Sequence, residues 1–283
     1  MSDWSPWIGR EERSADRVEP MLFSHWHATF SREISLMGTA PQGFHWCLCT
    51  PLASTDRLGP DGHPRRDDSA DSFLPPIPLP RRMWAASSVE FVQPLRPGDT
   101  VSRTSRVAAV SEKDGGSGKL VFVEVVHETS TDAGLAVREV QSLVYREAAA
   151  EDAAPVPPPL GDGAFDAAAW DADLTIVPSE ALLFRFSALT FNSHRIHYDL
   201  PYATGIEGYR GLVVHGPLTA TLLLDLAARE LGDSALKSFA FRGVSPAICG
   251  EPLHIAMRGS GAEIVLGAFA SDGREVMKAS ASA

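Results

Sequence analysis

Apolar and polar positions alternate along SSVEFVQPL, DTVSRTSRVAAVSEK, KLVFVEVVHETST and LAVREVQSLVYR, the two-residue period of strands with one face buried. Val121, Val123 and Val125 share one face of the third segment, with Phe122 and Glu124 on the other. Asp114, Gly115, Gly116, Ser117 and Gly118 join the second and third segments as a hairpin connection, and QPLRPG reads as a turn between strands. Upstream the period lengthens. Val18, Met21, Leu22 and His25 form a ragged apolar stripe that predicts a helix over about residues 14–30. FHWCLCTPL reads as a strand or a buried loop, with Cys47 and Cys49 on one face if it is a strand. Asp56 to Ser72 is polar and turn-rich and reads as a surface loop. FLPPIPLPRRMW carries Pro75, Pro76, Pro78 and Pro80, so it must run extended across the face of another element.

The second half repeats this plan with a stronger helix. ALLFRFSAL predicts a strand leading into the polar segment TFNSHRIHYD, and a loop rich in Gly and Tyr follows, ending at His215-Gly216. A helix is predicted from Pro217, at its first position, to Leu231, with Leu218, Leu222, Leu223 and Leu226 as a buried stripe and Gly232 just past its end. Strands are then expected in SALKSFAFRGVSPAI, EPLHIAMRGSG, AEIVLGAFASDG and REVMKASASA. Between the halves, Pro155, Pro157, Pro158 and Pro159 fill four of five positions in an Ala-rich stretch that neither a helix interior nor a paired strand can cross. The expected division is a first domain over 1–150, a linker over 151–172 and a second domain over 173–283. An antiparallel sheet wrapped around one apolar helix, made twice, gives an α+β fold of two units packed as an internal pseudo-dimer.

Composition narrows the function classes. The 283 residues carry 25 Lys+Arg against 36 Asp+Glu, a formal charge of -11, which repels a phosphate backbone and argues against a nucleic-acid partner. The first twenty residues lack an apolar core and do not read as a signal peptide, and no run approaches the length of a membrane span, so a cytoplasmic protein without membrane contact is expected. Three cysteines make no disulfide framework and no zinc pattern.

The candidate chemistry lies in one cluster: Asn192, Ser193, His194, Arg195, His197 and Asp199, with His215 downstream. Across a turn entering a short helix, Asn192 and His197 can converge on one water, which a neutral imidazole deprotonates and a carboxamide orients. Gly216 stands at a helix N-terminus, where backbone N–H groups lack intrahelical partners and can stabilise a developing enolate oxygen. These groups fit addition of water to an α,β-unsaturated thioester, or its reversal. His215 reads either as a substrate contact or as a loop brace, and Asp199 either as the orienter of an imidazole or as a backbone acceptor. Arg81, Arg82 and Arg195 are candidate cations for a phosphate or carboxylate of the ligand. A metal set of His194, His197 and Asp199 lacks further ligands. Serine-hydrolase, P-loop and Rossmann motifs are absent from the sequence.

RFSALTFNSHRIHYD followed by YRGLVVHGPLTATLLLDL resembles the MaoC-like hydratase family, which includes the dehydratase domain of fungal-type fatty-acid synthase. GPDGHPRR, FLPPIPLPRRMWAASSVEF and KLVFVEVVHE in the first half resemble it too, so the likeness spans most of the chain outside the linker. The resemblance implies a double hot-dog fold, a catalytic second domain, and a first domain that has lost the catalytic residues and makes room for a bulky or branched acyl group. It implies a water held between positions 192 and 197, an oxyanion contact at Gly216, and coenzyme A in the cleft between the halves as part of the substrate, without a further cofactor. The family commonly has Asp where Asn192 stands, which moves the base role onto His197. Its Asn-Pro is here His194-Arg195, and closer relatives often have Pro at the position of Arg210. The bacterial members that share FLPPIPLPRRMW look most like enzymes forming citramalyl-CoA, so the substrate expected is mesaconyl-C4-CoA or itaconyl-CoA, with Arg195 and then Arg82 as the partner of its free carboxylate. The alternatives are a 3-hydroxyacyl-thioester dehydratase acting on coenzyme A or acyl-carrier-protein conjugates, a thioesterase, and a non-catalytic thioester-binding protein. An internal pseudo-dimer leaves both a monomer and a homodimer open.

Overall fold

In the computed structural model, residues 3–33, 38–115, 118–147 and 159–283 are described; residues 151–158 of the linker, with three of its four prolines, and the tip of the 114–118 hairpin lie outside them. Ten strands form one antiparallel sheet: β1 (Glu11–Arg17), β2 (Arg81–Phe91), β3 (Thr100–Gly115), β4 (Gly118–Thr131), β5 (Gly134–Arg146), β6 (Ala172–Ile176), β7 (Ser238–Gly243), β8 (Leu253–Ser260), β9 (Glu263–Ala270) and β10 (Glu275–Ser282). Their spatial order is β1-β3-β4-β5-β2-β7-β10-β9-β8-β6. Each half contributes five neighbouring strands, and the halves join where β2 pairs with β7, from Ala86 opposite Arg242 to Glu90 opposite Ser238. The outer edge strand β1 is charged and exposed, which discourages pairing with another chain.

Among the described residues, four α-helices complete the fold: α1 (Pro20–Thr29), α2 (Glu180–Thr190), α3 (Leu200–Gly205) and α4 (Gly216–Leu231). The helix expected over 14–30 begins as strand, over residues 14–17, and is helical only from Pro20 to Thr29. Pro20 lacks an amide hydrogen, its ring excludes a preceding turn, and it holds Glu19 extended (ψ 132°), so residues 11–17 pair with β3 and α1 begins only at Pro20. ALLFRFSAL, expected as a strand, is α2. The Ser179 hydroxyl caps it by accepting the Leu182 amide, and Leu183, Phe186 and Leu189 recur at helical spacing on its buried side. Phe44–Cys47 is a buried 3-10 turn, so Cys47 and Cys49 share no strand face. Burial pushes the Cys47 thiol up to about 12, which leaves it unreactive.

Helix α4 lies in the concavity of the second half. Leu218, Leu222, Leu223 and Leu226 pack with Phe239, Ile255, Leu266 and Ala279 in one core. The corresponding space of the first half holds shorter pieces. Trp46, from the 3-10 turn, meets Trp84 of β2 and Phe241 of β7 edge-on at 5.9 and 5.8 Å, bridging the halves. The extended run before β2 crosses the sheet as expected: Ile77 and Leu79 pack on Val121, Val123, Val125 and Tyr145. Arg66 fixes that run by donating to the carbonyls of Ile77, Leu79 and Pro80. No helix among the described residues is long and apolar enough to cross a membrane.

Candidate active site

Helix α2 ends on Phe191, whose φ of 49° turns the chain sharply and starts the polar segment. The Asn192 side-chain oxygen Oδ1 accepts the backbone amide of His194 at 2.9 Å, a local turn that sets the direction of the next residues. Arg195–His197 forms a 3-10 turn, and Asp199 caps α3 by accepting the Tyr202 amide at 3.1 Å. The turn into a short helix expected from the sequence is therefore present.

His197 is buried, and its Nδ1 donates to the Val213 carbonyl at 2.7 Å. That bond fixes the tautomer and leaves Nε2 as the proton acceptor. Burial favours the neutral ring and, with the nearby imidazole of His63, lowers its pKa from 6.5 to about 4 despite the Val213 bond. His215, directly before α4, stacks on His197 with ring centroids 3.5 Å apart, and its Nε2 lies 2.9 Å from the Ser187 hydroxyl of α2. It thus braces the base between two helices. Burial and the neighbouring imidazoles hold it well below the ordinary histidine range.

Gly216 is the first residue of α4, with Pro217 second, one place later than the sequence predicts. The Thr219 amide already bonds the His215 carbonyl at 3.1 Å, so the donors of the first turn are Gly216 and Leu218. A β-carbon built on Gly216 meets nothing within 4 Å. The N-terminus of α4 thus starts directly after His215 of the His197–His215 stack, with room on the side-chain side of Gly216.

The arginines divide. Arg195 is committed to the protein: Nε and Nη2 donate to Asp199 at 2.9 and 2.7 Å, Nη1 donates to the Pro60 carbonyl at 2.8 Å, and the guanidinium lies over Tyr202. Of the two readings of Asp199, the backbone one is realised, together with this ion pair. Arg81 pairs with Glu207 at 3.2 Å. Arg82, half-buried at the start of β2, pairs with Tyr145 through its backbone, and its guanidinium makes no hydrogen bond or ion pair with the described residues. Arg210 is bound to Glu251 through two contacts.

The sequence reading missed Asp61, Gly62 and His63, which it placed in a surface loop. That loop is docked on the polar segment. The Arg195 amide donates to the Asp61 carbonyl at 2.8 Å and the Ser193 hydroxyl to the Gly62 carbonyl at 2.6 Å. Gly62 is required there: its φ is +87°, and a β-carbon would lie 2.0 Å from the Ser193 carbonyl oxygen. The ring of His63 lies 4.1 Å from that of His194, and His194 meets His197 edge-on at 5.4 Å. An Asp-Gly-His triplet within a polar loop was the available signal. Burial, with His63 and His197 nearby, lowers His194 to about 2. Asp61, His63 and His194 have donor atoms within 4.8 Å of one another, the spacing of a metal site, but Asp61 and His63 already satisfy each other through a 3.1 Å hydrogen bond. The other set, His194, His197 and Asp199, is not assembled: His197 Nδ1 is on Val213 and Asp199 is on Arg195. A cavity bounded by Gln42, His45, Phe91, Leu95 and Leu236 contains none of the expected site residues.

Residues 43–249 match the family model of hydroxyacyl-thioester dehydratase type 2. The chain belongs to this family. It is 40% identical, over 98% of its length and 97% of the relative's, to the mesaconyl-C(4)-CoA hydratase of Chloroflexus aurantiacus. Among solved structures it is similar to a MaoC-like dehydratase from Phytophthora capsici (17% identity, TM-score 0.67, 97% of this chain and 95% of that one). It is also similar to a Mycobacterium tuberculosis protein with a double hot-dog fold (15% identity, TM-score 0.57, 97% and 95% covered). The α+β fold is thus a double hot-dog whose two sheets are continuous. As a type 2 hydroxyacyl-thioester dehydratase family member the chain is a hydro-lyase, acting on an acyl thioester. The matched span takes in both the Asp61 loop and the His197 segment.

Proposed function

We propose that the enzyme hydrates mesaconyl-C4-CoA or itaconyl-CoA to citramalyl-CoA, with His197 as base, Asn192 orienting the water and the amide of Gly216 receiving the enolate oxygen. The observation that carries the mechanism is the fixed tautomer of His197, whose bond to Val213 leaves Nε2 available beside the open N-terminus of α4. Nε2 takes a proton from water, and the oxygen adds to the β-carbon. In mesaconyl-C4-CoA, whose double bond is conjugated with the thioester, the electron pair moves through the α-carbon to the thioester carbonyl oxygen at Gly216; itaconyl-CoA, whose methylene double bond lies β,γ to that carbonyl, follows this route only after the bond shifts into conjugation. The imidazolium then returns the proton to the α-carbon, and Asn192, which cannot change charge near neutral pH, takes no proton. His215 and Asp199 act by holding His197 and the loop. In this reading the second domain carries the base and the oxyanion contact, and the first shapes the acyl site.

The substrate class is supported by 40% identity along nearly the whole chain to a mesaconyl-C(4)-CoA hydratase. A free carboxylate on the acyl group needs a cation, and Arg82 suits that role better than Arg195, each of whose three guanidinium nitrogens already donates to Asp199 or Pro60. The family model's name favours one second reading, dehydration of a 3-hydroxyacyl thioester by the same residues run in reverse. Loss of ultraviolet absorbance of the enoyl thioester, measured with mesaconyl-C4-CoA and crotonyl-CoA in parallel, and formation of citramalyl-CoA from itaconyl-CoA test this. Turnover of a branched dicarboxylic substrate well above crotonyl-CoA is expected, and turnover of crotonyl-CoA alone would move the function to the second reading.

A further inference from the structure

Arg81, at the start of β2, stands directly opposite Arg146, at the end of β5, in the register of the sheet. Like charges so placed repel, and a chain of formal charge -11 is not short of carboxylates to separate them. Strand alternation sends both arginines to the face opposite Arg82 and Tyr145, the latter packed under the crossing segment with Ile77 and Leu79. Among the described residues, one carboxylate answers the pair. Glu207 meets Arg81 at 3.2 Å through one oxygen and accepts the Tyr202 hydroxyl at 3.2 Å through the other. The Arg146 guanidinium makes no hydrogen bond or ion pair with the described residues, and its Nε is shut off from water. A buried donor without an acceptor is costly, and folded proteins pair nearly all of them. From the second half, Tyr209 of the loop leading to Gly216 reaches the same place. Burial raises its hydroxyl, and the charges of Glu207, Arg146 and Arg81 act on it. That hydroxyl too has no hydrogen-bond partner among the described residues.

We propose that Arg146 and Arg81, with the Tyr209 hydroxyl, form a phosphate-binding site for the nucleotide end of a coenzyme A substrate, where the first-half sheet meets the loop leading to α4. The proposal rests on the reading above of a coenzyme A thioester as substrate. A phosphate suits these groups in kind. Guanidinium forks bind phosphate oxygens in pairs, and a phenol adds a neutral donor. It suits them in charge as well: two guanidinium groups face one carboxylate, and the positive charge left over is carried by Arg146. One loop takes Tyr209 to the phosphate and Gly216 to the thioester, the two groups that the pantetheine arm joins within the substrate. Arg82, on the other face, stays available for the acyl carboxylate. The first domain thereby holds the substrate through β2 and β5, besides making room for its acyl group.

The test is Arg146→Gln, which removes the charge and keeps a side chain of similar reach, with Tyr209→Phe as its companion. Whichever enoyl group the wild type hydrates is presented as its coenzyme A, 3′-dephospho-coenzyme A and N-acetylcysteamine thioesters, the last without any phosphate. In Arg146→Gln the preference in kcat/KM for the coenzyme A ester over the N-acetylcysteamine ester is expected to fall about 10- to 100-fold, through KM. Tyr209→Phe should move it the same way by less. A loss that spares the 3′-dephospho ester places the 3′-phosphate in the site, and a loss shared by it places the diphosphate there; both support the proposal. Calorimetric titration with coenzyme A itself needs no turnover, and the wild type should bind it at least about tenfold more tightly than Arg146→Gln. That difference in a wild type that hydrates none of the thioesters would sink the hydration reading and leave the phosphate site standing. Without ligand, Arg146→Gln should melt no lower than the wild type, because the charge it removes has no partner and faces Arg81. Equal binding of coenzyme A by both proteins would overturn the proposal, even where inorganic phosphate alone binds the wild type better. So would equal losses on the coenzyme A and N-acetylcysteamine esters, the result of a purely structural role.

Discussion

At the scale of single residues, the site is defined by which donors and acceptors the fold has already used. His197 has one nitrogen committed to Val213 and one left over, whereas every guanidinium nitrogen of Arg195 already donates within the protein. Burial sets the operating range of the base. Because the folded His197 has a pKa of about 4 in place of 6.5, the neutral, proton-accepting ring persists well below neutrality. The acid limb of kcat/KM is therefore expected below pH 6, and a limb at 6.5 would contradict the description of His197 as desolvated. For stability the sign is the same. Below pH 6.5 the unfolded chain takes up a proton that the folded ring refuses until about pH 4, so this histidine weakens the fold progressively across that window. Asn192, His197, Gly216 and His215 were all legible in the sequence, because residue types with usable chemistry crowd a short segment. Asp61 and His63 were not, because their partners lie about 130 positions away and only docking brings them together.

At the scale of elements, one loop and two helix ends make the site. Predicting strand for ALLFRFSAL followed the density of apolar residues and overlooked Ser179, whose cap makes the segment helical and delivers Asn192 at its end. The apolar stripe over 14–30 likewise hid Pro20 as a boundary. Strands β3, β4 and β5 were read correctly because one face of each meets the core and the other meets solvent or the crossing segment, which leaves a clear period of two. The fit of the 59–64 loop to residues 193–195 makes a definite prediction. Gly62→Ala places a β-carbon against the Ser193 carbonyl and forces an alanine to φ +87°, at a cost of roughly 1–3 kcal/mol. Thermal unfolding should show that loss, together with lower kcat as the loop lifts. An unchanged midpoint and rate would mean that the loop does not dock in solution.

At the scale of the whole molecule, the two halves share one sheet and one core, and a buried polar cluster lies near their junction. Glu139 of β5 accepts from Trp46 at 3.2 Å and from Ser87 at 2.5 Å, with His45 at 3.5 Å. Burial alone would raise this carboxyl, but the contact and charge of His45, then the charge of His127 and the Ser87 hydrogen bond, hold it at about 2. Its stabilising effect is present above the ordinary value of 4.5 and is lost as pH falls from there towards 2. Glu139→Ala, which strands three buried partners, should lower stability by about 1–3 kcal/mol or more at neutral pH and flatten the loss of stability below pH 4.5. A mutant with the wild-type acid transition would show that the cluster is not the acid-labile point. The sequence reading expected no polar cluster in the first half, because its members are scattered singly over five segments between His45 and Gln141 and meet only across the sheet. The double hot-dog plan itself was legible from the alternation of strands with one dominant helix and from the linker. The central claim, that this architecture exists to set His197 beside the N-terminus of α4 for the addition of water, is tested most directly by one comparison. Enoyl-thioester absorbance and free-thiol release are followed together for the wild type and for His197→Ala. The account predicts hydration without thiol release in the wild type and a loss of about 10²- to 10⁴-fold in the variant; undiminished hydration by His197→Ala, or release of thiol in place of hydration, would contradict it.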